Sequence, residues 1–132
     1  MKTADLQNKT MSPETYKLRR KVIDLIYEIK ELVGKHGGSF PRVEVRVTED
    51  HERILGKAAM GRSKSIIWIT ERAITASEFD LRSIVYHEVL HTVYRIEHNE
   101  SCPLMKPLHS PLSKAEVQRH FLKYIFLPQQ LR

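Results

Sequence analysis

The amino-acid sequence predicts an α+β fold in which helices cover a small twisted sheet. Segments with apolar residues at helical spacing flank segments that alternate or are uniformly apolar, in the order helix, strands, helix, loop, helix. A chain of 132 residues suits one hydrophobic core. We therefore expect a flexible tail over residues 1–11 and a single domain over residues 12–132, with the N-terminal helix backing the sheet.

The N-terminal helix is predicted to begin at Pro13. Ser12 supplies an N-capping hydroxyl, and proline is favoured at the first helical position. Gly34 and Gly37-Gly38 mark the end of the helix. Its apolar positions recur at helical spacing, and they are Leu18, Val22, Leu25, Ile26, Ile29, Leu32 and Val33.

Two strands are predicted after this helix. Residues 42–48 alternate valine with charged side chains, which is typical of a strand with one buried face. Residues 65–70 are β-branched and apolar, as in a well-buried strand. Residues 56–61 hold small apolar residues between two glycines and are compatible with a third, short strand.

Two further helices follow the strands. Ser77 and Asp80 resemble a capping box that opens a long helix with apolar residues at helical spacing. Three prolines within residues 96–112 predict an irregular loop. A second capping box, Ser113 with Glu116, opens a C-terminal helix with one apolar face.

Composition favours a cytoplasmic protein. No stretch approaches the roughly eighteen apolar residues of a membrane span, and the polar N-terminus lacks the apolar run of a signal peptide. A single cysteine, Cys102, fits a reducing compartment. The net charge of +6 is compatible with a nucleic-acid partner. The densest basic cluster, within residues 17–21, lacks aromatic interleaving, and a solvated helix face explains it better.

Within the second long helix lies the sequence His87-Glu88-Val89-Leu90-His91. Histidines four residues apart share one helix face, so both imidazoles can reach one zinc ion. Glu88 can then accept a proton from a water that the ion activates. The pattern predicts His87 and His91 as zinc ligands and Glu88 as a general base.

A catalytic zinc site needs a third protein ligand. His98 is the first candidate, and Glu97 is the second. On a continuous helix His98 would lie about 10 Å beyond His91, at ~1.5 Å per residue. We therefore expect the helix to end near residues 94–96 and the chain to fold back, although no glycine marks that break.

Three later residues could complete the site instead. Glu116 has a suitable carboxylate, but its place in the capping box gives it a structural role. Cys102 could bind zinc as a thiolate, although a small buried hydrophobic residue is the commoner role for such a cysteine. His109 is the third, and His109 and Tyr94 are also candidates for stabilising an oxyanion.

The motif and the residues after it resemble the zincin metallopeptidases. Residues 79–127 resemble the matrixin-like branch of the metzincins, whose pattern is His-Glu-x-x-His-x-x-Gly-x-x-His, then a methionine turn and a final helix. Residues 102–107 resemble that turn, which implies that Met105 lies beneath the metal without binding it. Residues 112–117 resemble the start of the final helix. The resemblance implies a minimal zincin-like fold.

The chain departs from that pattern at three positions. Tyr94 replaces the glycine, Glu97 stands where the third histidine is expected, and His98 follows one residue later. The chain also resembles the small intracellular zincins of the minigluzincin and SprT-like kinds. In the minigluzincin kind a glutamate on the later helix completes the site, which would implicate Glu116.

These resemblances imply a zinc metalloendopeptidase, a hydrolase acting on peptide or protein substrates. The SprT-like resemblance leaves open a protease that acts on proteins held on DNA. A third hypothesis is a latent or non-enzymatic zinc-binding module, in which an extra ligand or residues 127–132 fill the open position of the metal.

Overall fold

A computed structural model of the chain describes residues 12–49, 55–60, 64–76, 79–95 and 113–126. It confirms the α+β class. In chain order the elements are α1 (Pro13–Lys35), β1 (Val43–Thr48), β2 (Gly56–Met60), β3 (Ser65–Thr70), α2 (Glu71–Thr75), α3 (Leu81–Thr92) and α4 (Lys114–Phe126). The predicted tail, residues 1–11, lies outside the described residues. None of the described helices combines the length and the apolarity that crossing a membrane requires.

Helix α1 begins at the predicted residue and ends at the predicted glycines. The Ser12 Oγ accepts a hydrogen bond from the backbone N–H three residues on (3.0 Å), and Pro13 lies in the first turn. At the other end Gly37 adopts a φ of 79°, and the Gly38 N–H donates to the Val33 carbonyl (2.9 Å). This Schellman arrangement satisfies the last carbonyls of the helix, and glycine adopts it without strain.

The three strands form one mixed sheet in the order β1-β3-β2. Strand β1 is parallel to β3, and β2 is antiparallel to β3. The strand predicted over residues 65–70 is therefore central, and its Ile67 and Ile69 side chains are fully buried. The third, short strand is confirmed over residues 56–60 and forms one edge of the sheet.

The hydrophobic core lies between the helices and one face of the sheet. Val45, Ile67 and Ile69 point to that face, because side chains alternate along a strand, and they join one cluster with apolar residues of all four described helices. The opposite face is called the outer face here, and its central residue is Trp68. That side chain is half-buried and belongs neither to the core cluster nor to the residues packed against it.

A side chain of α1 covers the free edge of β1. The Ser65 N–H donates to the Arg42 carbonyl (2.9 Å), so alternation turns the Val45 carbonyl away from β3. There the Arg19 Nε donates to the Val45 carbonyl (2.9 Å). An edge with free backbone groups invites pairing with another chain, and Arg19 blocks it. One member of the predicted solvated basic cluster therefore has a structural role.

The start of helix α3 differs from the prediction. Asp80 is the N-cap itself, since its carboxylate accepts from the Ser83 N–H (3.4 Å) and from the Ser83 hydroxyl. The prediction that placed Asp80 inside the helix is wrong, because aspartate is among the strongest N-caps. Ser77 lies outside the described residues. Helix α2 was not predicted, and it begins with the Thr70 hydroxyl accepting from the Ala73 N–H (3.2 Å).

Candidate metal and catalytic site

His87 and His91 lie on one face of α3, as their spacing predicts. Their ring centroids are 4.2 Å apart, and the ring planes are inclined by 76°. His87 is buried, with 4% of its surface exposed, while His91 is half-buried. Zinc–nitrogen bonds are about 2.0–2.1 Å long, so rings this close can each direct one nitrogen to a shared ion.

Glu88 lies on the side of α3 that approaches strand β2. A Cβ placed on Gly56 would stand 3.3 Å from the Glu88 Cγ and 3.1 Å from the Trp68 carbonyl oxygen, so the approach suits a residue without a side chain. Burial raises the pKa of Glu88 to about 7, because the charged form loses its water. A half-buried carboxyl beside two histidines is typical of a group that takes up and releases a proton near neutral pH.

Helix α3 ends early enough for the chain to turn back toward the histidines. The last helical residue is Thr92, two residues before the predicted range of 94–96. Arg95 adopts a φ of 56°. That left-handed backbone usually belongs to the glycine after a helix. The helix therefore ends two residues earlier than predicted, with an arginine in the glycine-type position, and the predicted turn back of the chain lies outside the described residues.

The described residues bring together two of the predicted ligands and the predicted base. Within those residues, no third His, Cys, Asp or Glu completes a metal-binding group with His87 and His91. The remaining predicted residues of this region lie outside the described part of the chain, and they are Glu97, His98, Cys102, Met105 and His109.

Glu116 occupies the capping position that its sequence context predicts. Its Oε1 accepts hydrogen bonds from the Ser113 N–H (3.3 Å) and the Ser113 hydroxyl (3.1 Å), and its own N–H donates to the Ser113 Oγ (3.2 Å). These bonds hold the pKa of Glu116 below its usual range. The capping box is confirmed, and in the described part of the chain Glu116 does not join the two histidines.

Tyr94, a candidate for stabilising an oxyanion, has structural partners. Its hydroxyl donates to the Ser39 carbonyl (3.4 Å), and its ring meets Phe121 edge-on at 5.8 Å. Burial raises the pKa of Tyr94 to about 12. These contacts tie the end of α3 to α4 and to the segment after α1, which is a packing role.

A polar network behind α3 was not predicted. Glu28 of α1 receives both donors of the Arg82 fork (3.0 Å each) and the Tyr86 hydroxyl (2.6 Å). The Tyr86 oxygen in turn accepts from the Gln118 Nε2 (3.2 Å), and the Lys114 Nζ lies 3.6 Å from Glu28. The network joins α1, α3 and α4, and its member Tyr86 directly precedes His87 in the sequence. It therefore fixes the rotation of the helix that carries the histidines.

The charge of Glu28 depends on these partners. Burial by itself would raise the pKa of Glu28, but the hydrogen bonds from Arg82 and Tyr86 outweigh it and hold the pKa below the ordinary 4.5. Burial and the bond to this carboxylate raise the pKa of Tyr86 above its ordinary range, so it stays a donor. The only sequence feature that hints at this network is the helical spacing of Arg82 and Tyr86, because their partner Glu28 lies more than fifty residues away.

Comparison of the chain with protein-family models, with curated proteins and with solved structures finds no match. A function is therefore inferred from the residues of the chain itself. The sequence motif did not indicate two residues that shape the candidate site. Gly56 admits the close approach of β2 to Glu88, and Arg95 follows the end of the helix that bears the histidines.

Proposed function

We propose that this protein is a zinc-dependent peptidase with Glu88 as its general base. The observation that carries the proposal is the pair of histidine rings 4.2 Å apart on one helix, with the half-buried Glu88 between them in the sequence and close to strand β2 at the edge of the sheet. A pair of surface histidines would not explain why His87 is buried or why a glycine lies beside Glu88.

The donor set fits zinc. Imidazole nitrogens are preferred zinc ligands, and histidines at i and i+4 approach an ion from the same side. Zinc bound there would supply positive charge at the peptide carbonyl and a water of lowered pKa. The polar network around Tyr86 supports the same helix from behind, so the backbone that carries the two imidazoles is fixed before any metal arrives.

Glu88 performs the proton transfers in this proposal. One carboxylate oxygen takes the proton from the attacking water and later passes it to the leaving nitrogen of the peptide bond. The first transfer requires the carboxylate form of Glu88, and the second transfer restores that form.

Strand β2 offers a binding edge for an extended peptide. The Thr70 N–H donates to the Leu55 carbonyl (3.0 Å), so alternation turns the backbone groups of Gly56 and of positions 58 and 60 away from β3. Among the described strands only β3 pairs with β2. A substrate strand paired with this edge would pass beside Glu88, in line with cleavage inside a chain.

We assign the third ligand to His98 on the basis of spacing. In the matrixin-like pattern a glycine precedes the third histidine by three residues, and glycine is the usual left-handed residue after a helix. Here the left-handed residue is Arg95, which precedes His98 by three. Relative to the matrixin-like pattern, the left-handed residue and the histidine both come one residue later. The spacing of three residues between them therefore holds for His98 and not for Glu97.

Zinc content tests the metal site. The purified protein is loaded with zinc, dialysed and analysed by mass spectrometry, and we expect one zinc per chain. His91→Ala and His98→Ala are expected to lose it. His120→Ala, which removes a half-buried histidine from α4, is the matched control and should retain it. Full zinc content in His91→Ala would refute the site.

Hydrolysis of casein or of a quenched peptide library tests the activity. Glu88→Gln should retain zinc and lose about 10²–10⁴-fold in rate, the usual contribution of a general base. Glu31→Gln, on the exposed side of α1, is the matched control and should cleave at the wild-type rate. Undiminished cleavage by Glu88→Gln would refute the role of Glu88. Zinc binding without any cleavage by the wild type would instead indicate a zinc-binding module.

A further inference from the structure

The outer face of the sheet carries an aromatic side chain between two cations. Trp68 lies on the central strand, and the register pairs it with Arg46 on β1 and with Lys57 on β2. The Arg46 guanidinium carbon is 6.0 Å from the centroid of the indole ring, and the Lys57 Nζ is 5.1 Å from it. The row therefore reads cation, aromatic ring, cation across the three strands.

The charge of this face is positive. Arg46 and Lys64 both contact Glu44, at 2.5 and 2.6 Å, while Lys57 makes no ion pair with a described residue. The two cations hold the pKa of Glu44 below its usual range, so it stays charged. Among these residues the outer face thus carries three cations and one carboxylate, and the Lys57 side chain is exposed.

The described helices leave this face open. They pack with the opposite face, and Trp68 and Ile66 lie outside the core cluster and outside the residues packed against it. The indole is therefore not placed there to fill the core. Because both cations lie over the indole ring, a flat ligand that stacks on the ring displaces one of them, and the cations remain close enough to contact that ligand's negative charges.

We infer that the outer face binds single-stranded nucleic acid, with the indole of Trp68 stacking on a base and Arg46 and Lys57 contacting phosphates on either side. Strands lie about 4.8 Å apart, so the two cations, each one strand away from Trp68, stand roughly 10 Å apart on either side of the indole. Bases of a duplex are stacked inside the helix and cannot reach an indole on a sheet. A single strand presents them, and sheets with aromatic side chains bind it in this way.

Intrinsic fluorescence reports on this site directly, because Trp68 is the only tryptophan of the chain. The probe is a twelve-residue oligothymidylate, added to the full chain at 50 mM and at 200 mM salt. We expect quenching that saturates. Two phosphate contacts give a salt slope of about −1.4, so the affinity should fall about sevenfold between the two salt concentrations.

Paired variants separate this face from the overall positive charge. Lys57→Ala should reduce the salt slope by about 0.7 and weaken binding. Lys30→Ala, which removes one exposed lysine from α1, should leave both unchanged. Trp68→Ala, followed by anisotropy of a labelled oligonucleotide and by circular dichroism for folding, should lose about tenfold in affinity.

Three results would overturn the inference. The first is the absence of saturable quenching at 50 mM salt. The second is an equal loss of affinity in Lys57→Ala and Lys30→Ala, which would assign binding to net charge. The third is competition by a polyglutamate peptide or by a duplex as effective as that of the unlabelled single strand. Glu88→Gln is expected to bind the oligonucleotide like the wild type, because the outer face is separate from the histidines.

Discussion

Removing the Tyr86 hydroxyl should lower the free energy of unfolding, because this one oxygen makes two hydrogen bonds that join three helices. Tyr86 is fully buried, and its hydroxyl donates to the charged Glu28 at 2.6 Å while accepting from Gln118 at 3.2 Å. Hydrogen bonds to charged groups contribute about 1.5–3 kcal/mol each. In Tyr86→Phe the carboxylate keeps the Arg82 fork, and Gln118 is half-buried and can turn to water. We therefore expect a loss near 2 kcal/mol in the free energy of unfolding.

Urea denaturation followed by circular dichroism measures this loss, with Tyr27→Phe as the matched control. The Tyr27 side chain is 56% exposed, and its hydroxyl should contribute within about 0.5 kcal/mol of zero. Combining Tyr86→Phe with Glu28→Gln completes a double-mutant cycle. The tyrosine change should cost about 1 kcal/mol less when Glu28 is neutral, because the charge assistance is gone. Equal midpoints for Tyr86→Phe and Tyr27→Phe would refute the reasoning.

Three further predictions concern stability, activity and pH. Asp80→Ala should cost about 1 kcal/mol in urea denaturation and Asp80→Asn much less, and equal losses would show that Asp80 is not acting as a cap. Gly56→Ala should lower the peptidase rate without lowering the zinc content, since its Cβ would crowd the Ile69 Cδ1 (3.0 Å), the Trp68 carbonyl oxygen (3.1 Å) and the Glu88 Cγ (3.3 Å). Gly34→Ala, with nothing within 4 Å, should raise stability by up to about 1 kcal/mol at unchanged rate. Because the folded pKa of Glu28 is lowered, its contribution to stability is present above the unfolded pKa of about 4.3 and disappears as pH falls through the folded value. Glu28→Gln should therefore flatten the loss of stability below pH 4.3, and an unchanged acid profile would contradict that contribution.

Local patterns predicted the elements well where a single physical signal dominated. The alternation in β1, the β-branched run in β3 and the Ser12-Pro13 start of α1 each depend on residues close in sequence. Asp80 shows where such a signal misleads, because aspartate can serve either as a cap or inside the first turn. Only the position of the backbone decides between the two.

The support of the candidate site could not be read in the same way. The proximity of His87 and His91 depends on one helix alone, so the spacing in the sequence was enough to predict it. The approach of Gly56 to Glu88 depends on the packing of β2 against α3, and the network at Glu28 depends on packing among three helices. Contacts between distant segments leave no periodic signal along the chain.

Helix α3 is held on two sides, and the two sides have different chemistry. One side carries the neighbouring rings of His87 and His91, and Glu88 approaches strand β2 at Gly56. The other side binds Glu28 of α1 through Arg82 and Tyr86. Because Tyr86 and His87 are consecutive, a rotation of the helix that releases one moves the other. Changes in the Glu28 network should therefore alter zinc affinity as well as stability, whereas Glu88→Gln should alter the rate alone, and this difference separates support of the site from its chemistry.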